Sequence, residues 1–160
     1  MEKTNGEIGR NNLLGLSRFM SAQHEVYNRV LGELKSGAKR THWMWYIFPQ
    51  IDGLGHSTTA EYYALKSLEE AREYLNHPVL GSRLVECAEA VLAIEGRLAS
   101  EIFSYPDDLK LKSSMTLFAS VADSGSIFVH VLDKYFHGER DVRTLQLLDI
   151  LRNNGKIKLK

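Results

Sequence analysis

Apolar side chains recur every three or four residues along most of the chain. That spacing places them on one face of an α-helix, whereas a β-strand needs alternation of apolar and polar residues. A strand-like pattern competes only at residues 43–48, where WMWYIF could form a short extended run. We therefore predict an all-α domain of about six or seven helices. The apolar stripes run through residues 16–34, 60–74, 80–92, 111–122, 127–135 and 145–151.

Turn-forming residues separate these stripes. Gly37 ends the first predicted helix, and TTAE at residues 58–61 has the pattern of a capping box that begins the second. Pro78 suits the first turn of a third helix, because proline cannot continue the helix before it. Asp141 can cap the last helix. The side chains of that helix predicted to face inward are Leu145, Leu148 and Leu151.

Length and composition predict one domain. The chain has 160 residues, of which 44% are hydrophobic and 25% charged, so it can bury one sizeable core but not two. We assign residues 13–152 to a single helical domain. Residues 1–12 are predicted to be disordered, and residues 153–160 form a short basic tail.

The charge balance and the cysteine count limit the environment and the partners. Twenty Lys and Arg residues balance twenty Asp and Glu residues, which argues against a protein that binds nucleic acid through a basic face. Cys87 is the only cysteine, so no intramolecular disulfide can form. No apolar stretch has the length of a membrane span or of a signal peptide. We expect a cytoplasmic protein that does not contact a membrane.

The segment at residues 40–57, RTHWMWYIFPQIDGLGHS, contains both tryptophans of the chain. We predict a long aromatic loop between the first two helices, because the segment mixes rigid rings, polar groups and glycines without a period. A loop that only filled the core would need no His or Gln. We expect the side chains of this loop to fall into two groups with different surroundings. Those predicted to anchor the loop inward are Trp43, Ile47 and Phe48, and those predicted to face a cavity are His42, Trp45 and Gln50.

A second unusual stretch is YPDDLKLKSSMTLF, residues 105–118. Asp107 and Asp108 suit the positive end of a helix. The serines and lysines that follow make either a solvated face or a surface that contacts a phosphate or sugar. The complete set of predicted ligand-binding residues is Trp45, Gln50, Ser57, Lys110 and Ser114.

Signatures of metal and cofactor chemistry are missing from the sequence. There is no P-loop, no GxGxxG, no HExxH and no paired-cysteine spacing. His42, Asp52 and His56 match no known finger spacing, so we predict no metal and no cofactor. Cys87 lies on an apolar stripe, which predicts a buried and inert thiol.

Four motifs carry a family resemblance: HWMWYIFPQIDGLGHS, EAREYLNHPVLGSRL, IFSYPDDLKLKSSMTLF and VLDKYFHGERDVRTL. Over about Leu16 to Leu148 the chain resembles the family called domain of unknown function 1810. The resemblance implies a mainly α-helical single domain and no known activity. Some members of that family are labelled calpastatin, a disordered inhibitor whose composition does not match this chain. The family usually has Gly where this chain has Ser104.

A weaker resemblance points to an enzyme. HSTTAEYYALKSL is similar to a helix of the NADAR family of N-glycosidases, with Glu61 and Lys66 in comparable places and Tyr62 where that family has His. The resemblance implies an N-glycosidase acting on nucleotide-like or ADP-ribosylated substrates. We predict Glu61 and His42 as its catalytic residues, because a carboxylate can activate water when a glycosidic bond breaks. The alternative role of Glu61 is in the capping box.

Two functions remain open from the sequence. The first is a protein that binds a small molecule in a pocket and that could be an enzyme. The second is a non-catalytic helical module whose aromatic segment docks a protein partner. The sequence favours the pocket, because two exposed tryptophans would make an apolar patch that threatens solubility.

Overall fold

Ten α-helices follow one another in the computed structural model, which describes residues 15–159, with side chains up to residue 154. Seven of these helices have seven residues or more, and the described part of the chain contains no β-strand. The predicted all-α class is confirmed there. The helices are α1 (15–23), α2 (Tyr27–Lys35), α3 (Met44–Ile47), α4 (Thr58–Tyr63), α5 (Leu68–Asn76), α6 (Leu80–Ala93), α7 (Ala99–Phe103), α8 (Asp107–Val121), α9 (Ile127–Phe136) and α10 (Val142–Leu159).

Residues 1–12, predicted to be disordered, lie outside the described residues. At the other end α10 continues to Leu159, through most of the predicted basic tail. None of the helices within the described range has the combination of length and hydropathy that crossing a membrane requires.

The first predicted helix is two helices. A turn at residues 24–26 separates α1 from α2. The periodicity does not reveal this break, because the apolar face continues across it: Phe19 on α1 and Val30 on α2 are both fully buried. At the break the buried Gln23 side chain donates hydrogen bonds to the Tyr46 carbonyl oxygen at 2.7 Å and to the Tyr74 hydroxyl at 3.1 Å. The turn is therefore joined to the aromatic segment.

The second predicted helix is also divided, into α4 and α5. Residues 64–67 are not helical, and Leu65 pairs with the end of the aromatic segment in an isolated parallel bridge. The Leu65 amide donates to the Gln50 carbonyl at 2.9 Å, and the Asp52 amide donates to the Leu65 carbonyl at 2.8 Å. Ser67, predicted as part of a helical face, caps α5 by accepting a bond from the Glu70 amide. These bonds replace those of a continuous helix.

Helices α5, α6, α8 and α9 pack around the core. A line of ring contacts crosses it, with centroid distances of 5.0 Å for Phe19–Tyr74, 5.6 Å for Tyr74–Phe118 and 5.7 Å for Phe118–Phe128. Gly81 lets α6 approach the end of α5, because a Cβ atom there would lie 1.9 Å from the Leu75 carbonyl oxygen. This packed core supports the aromatic segment from one side.

The last helix, α10, begins at the predicted cap, but the residues that it turns toward the core are not all those predicted. The Asp141 carboxylate accepts hydrogen bonds from the Thr144 amide at 2.9 Å and the Thr144 hydroxyl at 2.5 Å, so it caps α10. Leu148 is fully buried, whereas Leu145 is 38% exposed, so its inward prediction was wrong. The first turn of α10 is instead buried through Thr144. The buried face of α10 therefore runs through Thr144 and Leu148, four residues apart, and Leu145 lies beside it.

Candidate functional site

Glu33 of α2 fixes the start of the aromatic segment. Its carboxylate is 7% exposed and accepts four hydrogen bonds from the segment. The Arg40 amide donates at 2.7 Å, the Thr41 amide at 3.1 Å and the Thr41 hydroxyl at 2.6 Å. The Trp43 indole N–H donates at 2.9 Å. The segment is therefore tied to a helix that precedes it in the chain.

The same bonds set the charge state of Glu33. Burial alone would raise the pKa of this carboxyl, because it disfavours the charged form. The hydrogen bonds from the Thr41 hydroxyl, the Arg40 amide, the Trp43 indole and the Thr41 amide outweigh burial and lower the pKa from 4.5 to about 2. Glu33 is therefore ionised at neutral pH. Glu33 was not among the predicted site residues, because it lies outside the aromatic segment.

The predicted inward anchors are confirmed. Trp43, Ile47 and Phe48 are at most 1% exposed. The Trp43 ring contacts Phe48 and Phe103, with centroids 6.4 and 6.5 Å away, and the Lys39 ammonium lies 5.0 Å from the Trp43 ring centre. The predicted loop contains one helical turn, α3, in place of the competing extended run. Residues two apart on such a turn point about 200° apart, so Trp45 leaves the core that Trp43 enters.

Trp45 is half-buried beside a group of charges. The Lys110 ammonium of α8 lies 5.0 Å from its ring centre. Asp107 in the first turn of α8 joins two lysines, with 3.6 Å from its carboxylate to the Lys110 Nζ and 2.8 Å to the Lys39 Nζ. Asp107 therefore serves as an ion-pair partner as well as a first-turn acid, which was its predicted role.

An open cleft lies on one side of Trp45, and we call it the Trp45 cleft. Its volume is about 340 Å³, and it separates the aromatic segment from the corner between α7 and α8. The residues that line it are Lys39, Arg40, His42, Met44, Trp45, Phe103, Ser104, Tyr105, Pro106 and Asp107. His42 and Trp45 therefore share a cavity, as predicted from the sequence, and Lys110 adjoins it through its contact with Trp45.

Gln50 lies on the other side of Trp45. The two residues line a recess of about 20 Å³ together with Tyr63 of α4, and this volume suits about one water molecule. Trp45 thus lines both the Trp45 cleft and the recess. His42 lines only the cleft and Gln50 only the recess, so these two residues share no cavity.

Ser57 and Glu61 lie at the start of α4. The Ser57 hydroxyl accepts a bond from the Ala60 amide at 3.1 Å, so Ser57 is the N-cap. The cap therefore lies one residue before Thr58, the cap predicted from the sequence, and the capping-box role of Glu61 was wrong because Ala60 holds the third helical position. Glu61 is exposed and lines neither the Trp45 cleft nor the recess.

The predicted polar face of α8 is not solvated. Ser113, Ser114 and Thr116 are at most 6% exposed, so the solvated-face alternative was wrong. Two of the hydroxyls bond one turn back, Ser113 to the Leu109 carbonyl and Thr116 to the Lys112 carbonyl. The Ser114 hydroxyl has no hydrogen-bond partner among the described residues.

Cys87 lines neither the Trp45 cleft nor the recess. Cys87 is fully buried, and burial raises the pKa of its thiol from 9.0 to about 12, which agrees with an inert side chain. Within the range that the structure covers, no three His, Cys, Asp or Glu side chains gather closely enough to hold a metal ion.

Fold and site together define a class: a single-domain, all-α protein in which a buried glutamate holds an aromatic segment beside an open cleft. The chain belongs to the family described as "Protein of unknown function (DUF1810)", whose model matches residues 13–148. It is similar to the crystal structure of the conserved hypothetical protein Rv1873 from Mycobacterium tuberculosis. The two chains are 53% identical with a TM-score of 0.82, over 84% of this chain and 96% of that one. No functionally curated protein matches the chain.

Proposed function

We propose that this protein binds a small planar molecule that carries a negative charge, in the Trp45 cleft. One observation carries the proposal: a half-buried indole lines an open cleft and has an ammonium group 5.0 Å from its ring centre. A flat apolar surface beside a cation suits a ligand that combines an aromatic ring with an anion. Nucleotides have this chemistry.

The ring part of the proposal rests on three side chains. Trp45 supplies the partly covered surface, Tyr105 is 78% exposed, and His42 is exposed on the same cleft. Aromatic side chains placed in this way can stack on a planar ligand while losing little conformational freedom. A cleft of about 340 Å³ lies at the lower end of the volumes of small-molecule sites.

The charge part rests on an excess of cations. Lys39 and Arg40 line the cleft and Lys110 adjoins it through its contact with Trp45, against the single lining carboxylate of Asp107. Lys39 is committed to the fold, because its ammonium is 2.8 Å from Asp107 and donates to the Thr41 carbonyl at 2.7 Å. Lys110 is 27% exposed and 3.6 Å from Asp107, so we assign it as the cation that receives the ligand.

An enzymatic step remains a prediction within this proposal. His42 borders the proposed ligand and could move a proton, whereas Glu61 lies outside both depressions. N-glycosidase chemistry through Glu61 would therefore need a substrate that extends beyond the Trp45 cleft. The geometry supports binding more directly than it supports cleavage.

The alternative is a module whose aromatic segment docks a protein. It is favoured less, because docking would use an exposed tryptophan pair. Trp43 is fully buried, and Trp45 is half-buried with Lys110 beside its ring. The exposed apolar side chain that lines the cleft is instead Tyr105.

Calorimetric titration with four related compounds tests the proposal. Adenosine 5′-monophosphate (AMP) and ADP-ribose carry both ring and charge, adenosine lacks the charge, and ribose 5-phosphate lacks the ring. We expect AMP or ADP-ribose to bind at least tenfold more tightly than either partial compound, because each half contributes more than about 1.4 kcal/mol. Equal binding of all four, or of none, contradicts the proposal.

A pair of lysine variants locates the binding site. Lys110→Gln removes the assigned cation while keeping much of the side-chain length, and we expect it to weaken AMP binding by about tenfold. Lys35→Gln is the matched control, because Lys35 is exposed on α2 and does not line the cleft. An equal loss in both variants would indicate a general charge effect, and no loss in Lys110→Gln would contradict the assignment.

A further inference from the structure

Ser104, at the corner between α7 and α8, has a backbone conformation that disfavours any side chain. Its φ is 66° and its ψ is 159°. This region is adopted almost only by glycine, because a Cβ atom crowds the backbone there. Gly37 and Gly96 also have positive φ, but they carry no Cβ atom to crowd. A serine at such a position is strained.

The fold keeps Ser104 in this conformation. The Ser104 amide donates to the Ser100 carbonyl at 3.0 Å, and the Ser104 carbonyl accepts from the Asp108 amide at 3.0 Å. These bonds tie the residue to α7 on one side and α8 on the other. The corner needs only the backbone atoms of Ser104, so a glycine would form it with less strain.

The side chain of Ser104 belongs to the Trp45 cleft. The residue is exposed and lines the cleft with Tyr105 and Asp107. Its hydroxyl makes no hydrogen bond to any described residue, whereas Ser57 and Ser67, which cap α4 and α5, both use theirs for the fold. The hydroxyl is thus available to a molecule in the cleft.

We infer that Ser104 is a specificity-determining residue whose hydroxyl donates a hydrogen bond to the anionic group of the ligand. The inference rests on the proposed function of the cleft. Its physical basis is the contrast between a strained backbone, which favours glycine, and a hydroxyl group that the fold does not use. Lys110 supplies the charge for the anion, and Ser104 supplies a directional donor.

Two substitutions separate the effect of the Ser104 hydroxyl group on binding from the effect of its backbone strain on stability. Ser104→Ala removes the hydroxyl but keeps the crowded Cβ atom, so its melting temperature should stay within about 1 °C of wild type. Ser104→Gly removes both, so its melting temperature should rise by about 3 °C. Both variants should bind AMP about tenfold more weakly in calorimetric titration. Ser124→Ala, at an exposed serine outside the cleft, is the matched control and should change neither quantity.

Each outcome supports or overturns the inference. If wild-type protein binds neither AMP nor ADP-ribose, the proposed function fails and this inference fails with it. If wild type binds AMP and Ser104→Ala binds it equally well, only the inference fails. If Ser104→Gly alone binds weakly, the backbone and not the hydroxyl matters, and the inference is again wrong. A lower melting temperature for Ser104→Gly would contradict the strain argument.

Discussion

The α8–α9 pair and the aromatic segment are held in place by different forces. Apolar packing joins α8 to α9, where the Phe118 and Phe128 rings lie 5.7 Å apart in the core. The start of the aromatic segment is instead held by four hydrogen bonds to the Glu33 carboxylate and by the buried Trp43. Packing buries one face of α8 and of α9, although the first turn of α8 borders the Trp45 cleft. The carboxylate fixes one side of the segment and leaves the other side open to a cleft.

This difference explains why one region is structural and the other can carry a site. A stripe of apolar residues is stable only when its whole face is covered. A few directional bonds can fix a short irregular segment while its remaining side chains face solvent. Trp43 and Trp45, two residues apart, show both conditions: one lies in the core and the other lines the Trp45 cleft.

The largest effect should come from the packed region, by which we mean the buried faces of α5, α6, α8 and α9. We expect Phe118→Ala to lower the free energy of unfolding by about 3–5 kcal/mol and Leu84→Ala by about 2–5 kcal/mol, because each leaves a cavity among buried side chains. Chemical denaturation measures the free energy of unfolding of each variant. Leu145→Ala on α10 is the control and should cost under about 1 kcal/mol, because Leu145 is partly exposed. Losses below that value in both core variants would contradict the packing account.

A smaller loss should follow when the carboxylate is neutralised. Glu33→Gln keeps the size of the side chain but weakens four charged hydrogen bonds, so we expect a loss of about 2–4 kcal/mol at pH 7. Glu25→Gln, at an exposed position before α2, is the matched control and should cost under about 0.5 kcal/mol.

The loss should also depend on pH in a defined direction. The pKa of Glu33 is about 2 in the folded protein against 4.5 as its ordinary value, so its stabilisation is complete above pH 4.5 and disappears as the pH falls toward 2. The difference between wild type and Glu33→Gln should therefore shrink over that range. A difference that stays constant from pH 7 to pH 3 would show that Glu33 does not act through its charge.

The smallest effect concerns Cys87, which lies in the packed region. We expect its thiol to resist alkylation at pH 8 in the native protein and to react after denaturation, because it is buried and its pKa is raised to about 12. Mass spectrometry measures the modification. Rapid labelling of the native protein would show that this part of the core opens readily.

The sequence predicts the packed region better than the aromatic segment, for physical reasons. Apolar periodicity located α6, α8 and α9, because packing leaves a repeated pattern. It could not locate the breaks before α2 and α5, since buried residues continue on both sides of each. The burial of Trp43 followed from its size and apolar surface.

Glu33 and Ser104 could not be found in the same way. A glutamate on a helix is normally solvated, and nothing in its spacing indicates a bond to residues 40–43. The φ of Ser104 is a property of the corner between α7 and α8, not of serine. The one signal available was the sequence resemblance, which implies a glycine at this position.

The central claim is that Trp43 serves the fold and Trp45 serves a ligand. It is tested most directly by the melting temperature of Trp45→Ala with and without AMP at about 100 times the dissociation constant for wild type, a concentration that stabilises a binding protein by about 2.7 kcal/mol. Tyr62→Ala, at an exposed ring outside the cleft, is the matched control. We predict that unliganded Trp45→Ala melts within a few degrees of wild type and that AMP does not raise its melting temperature. AMP should raise the melting temperatures of wild type and of Tyr62→Ala. An equal gain in Trp45→Ala, or unfolding of that variant without ligand, would contradict the claim.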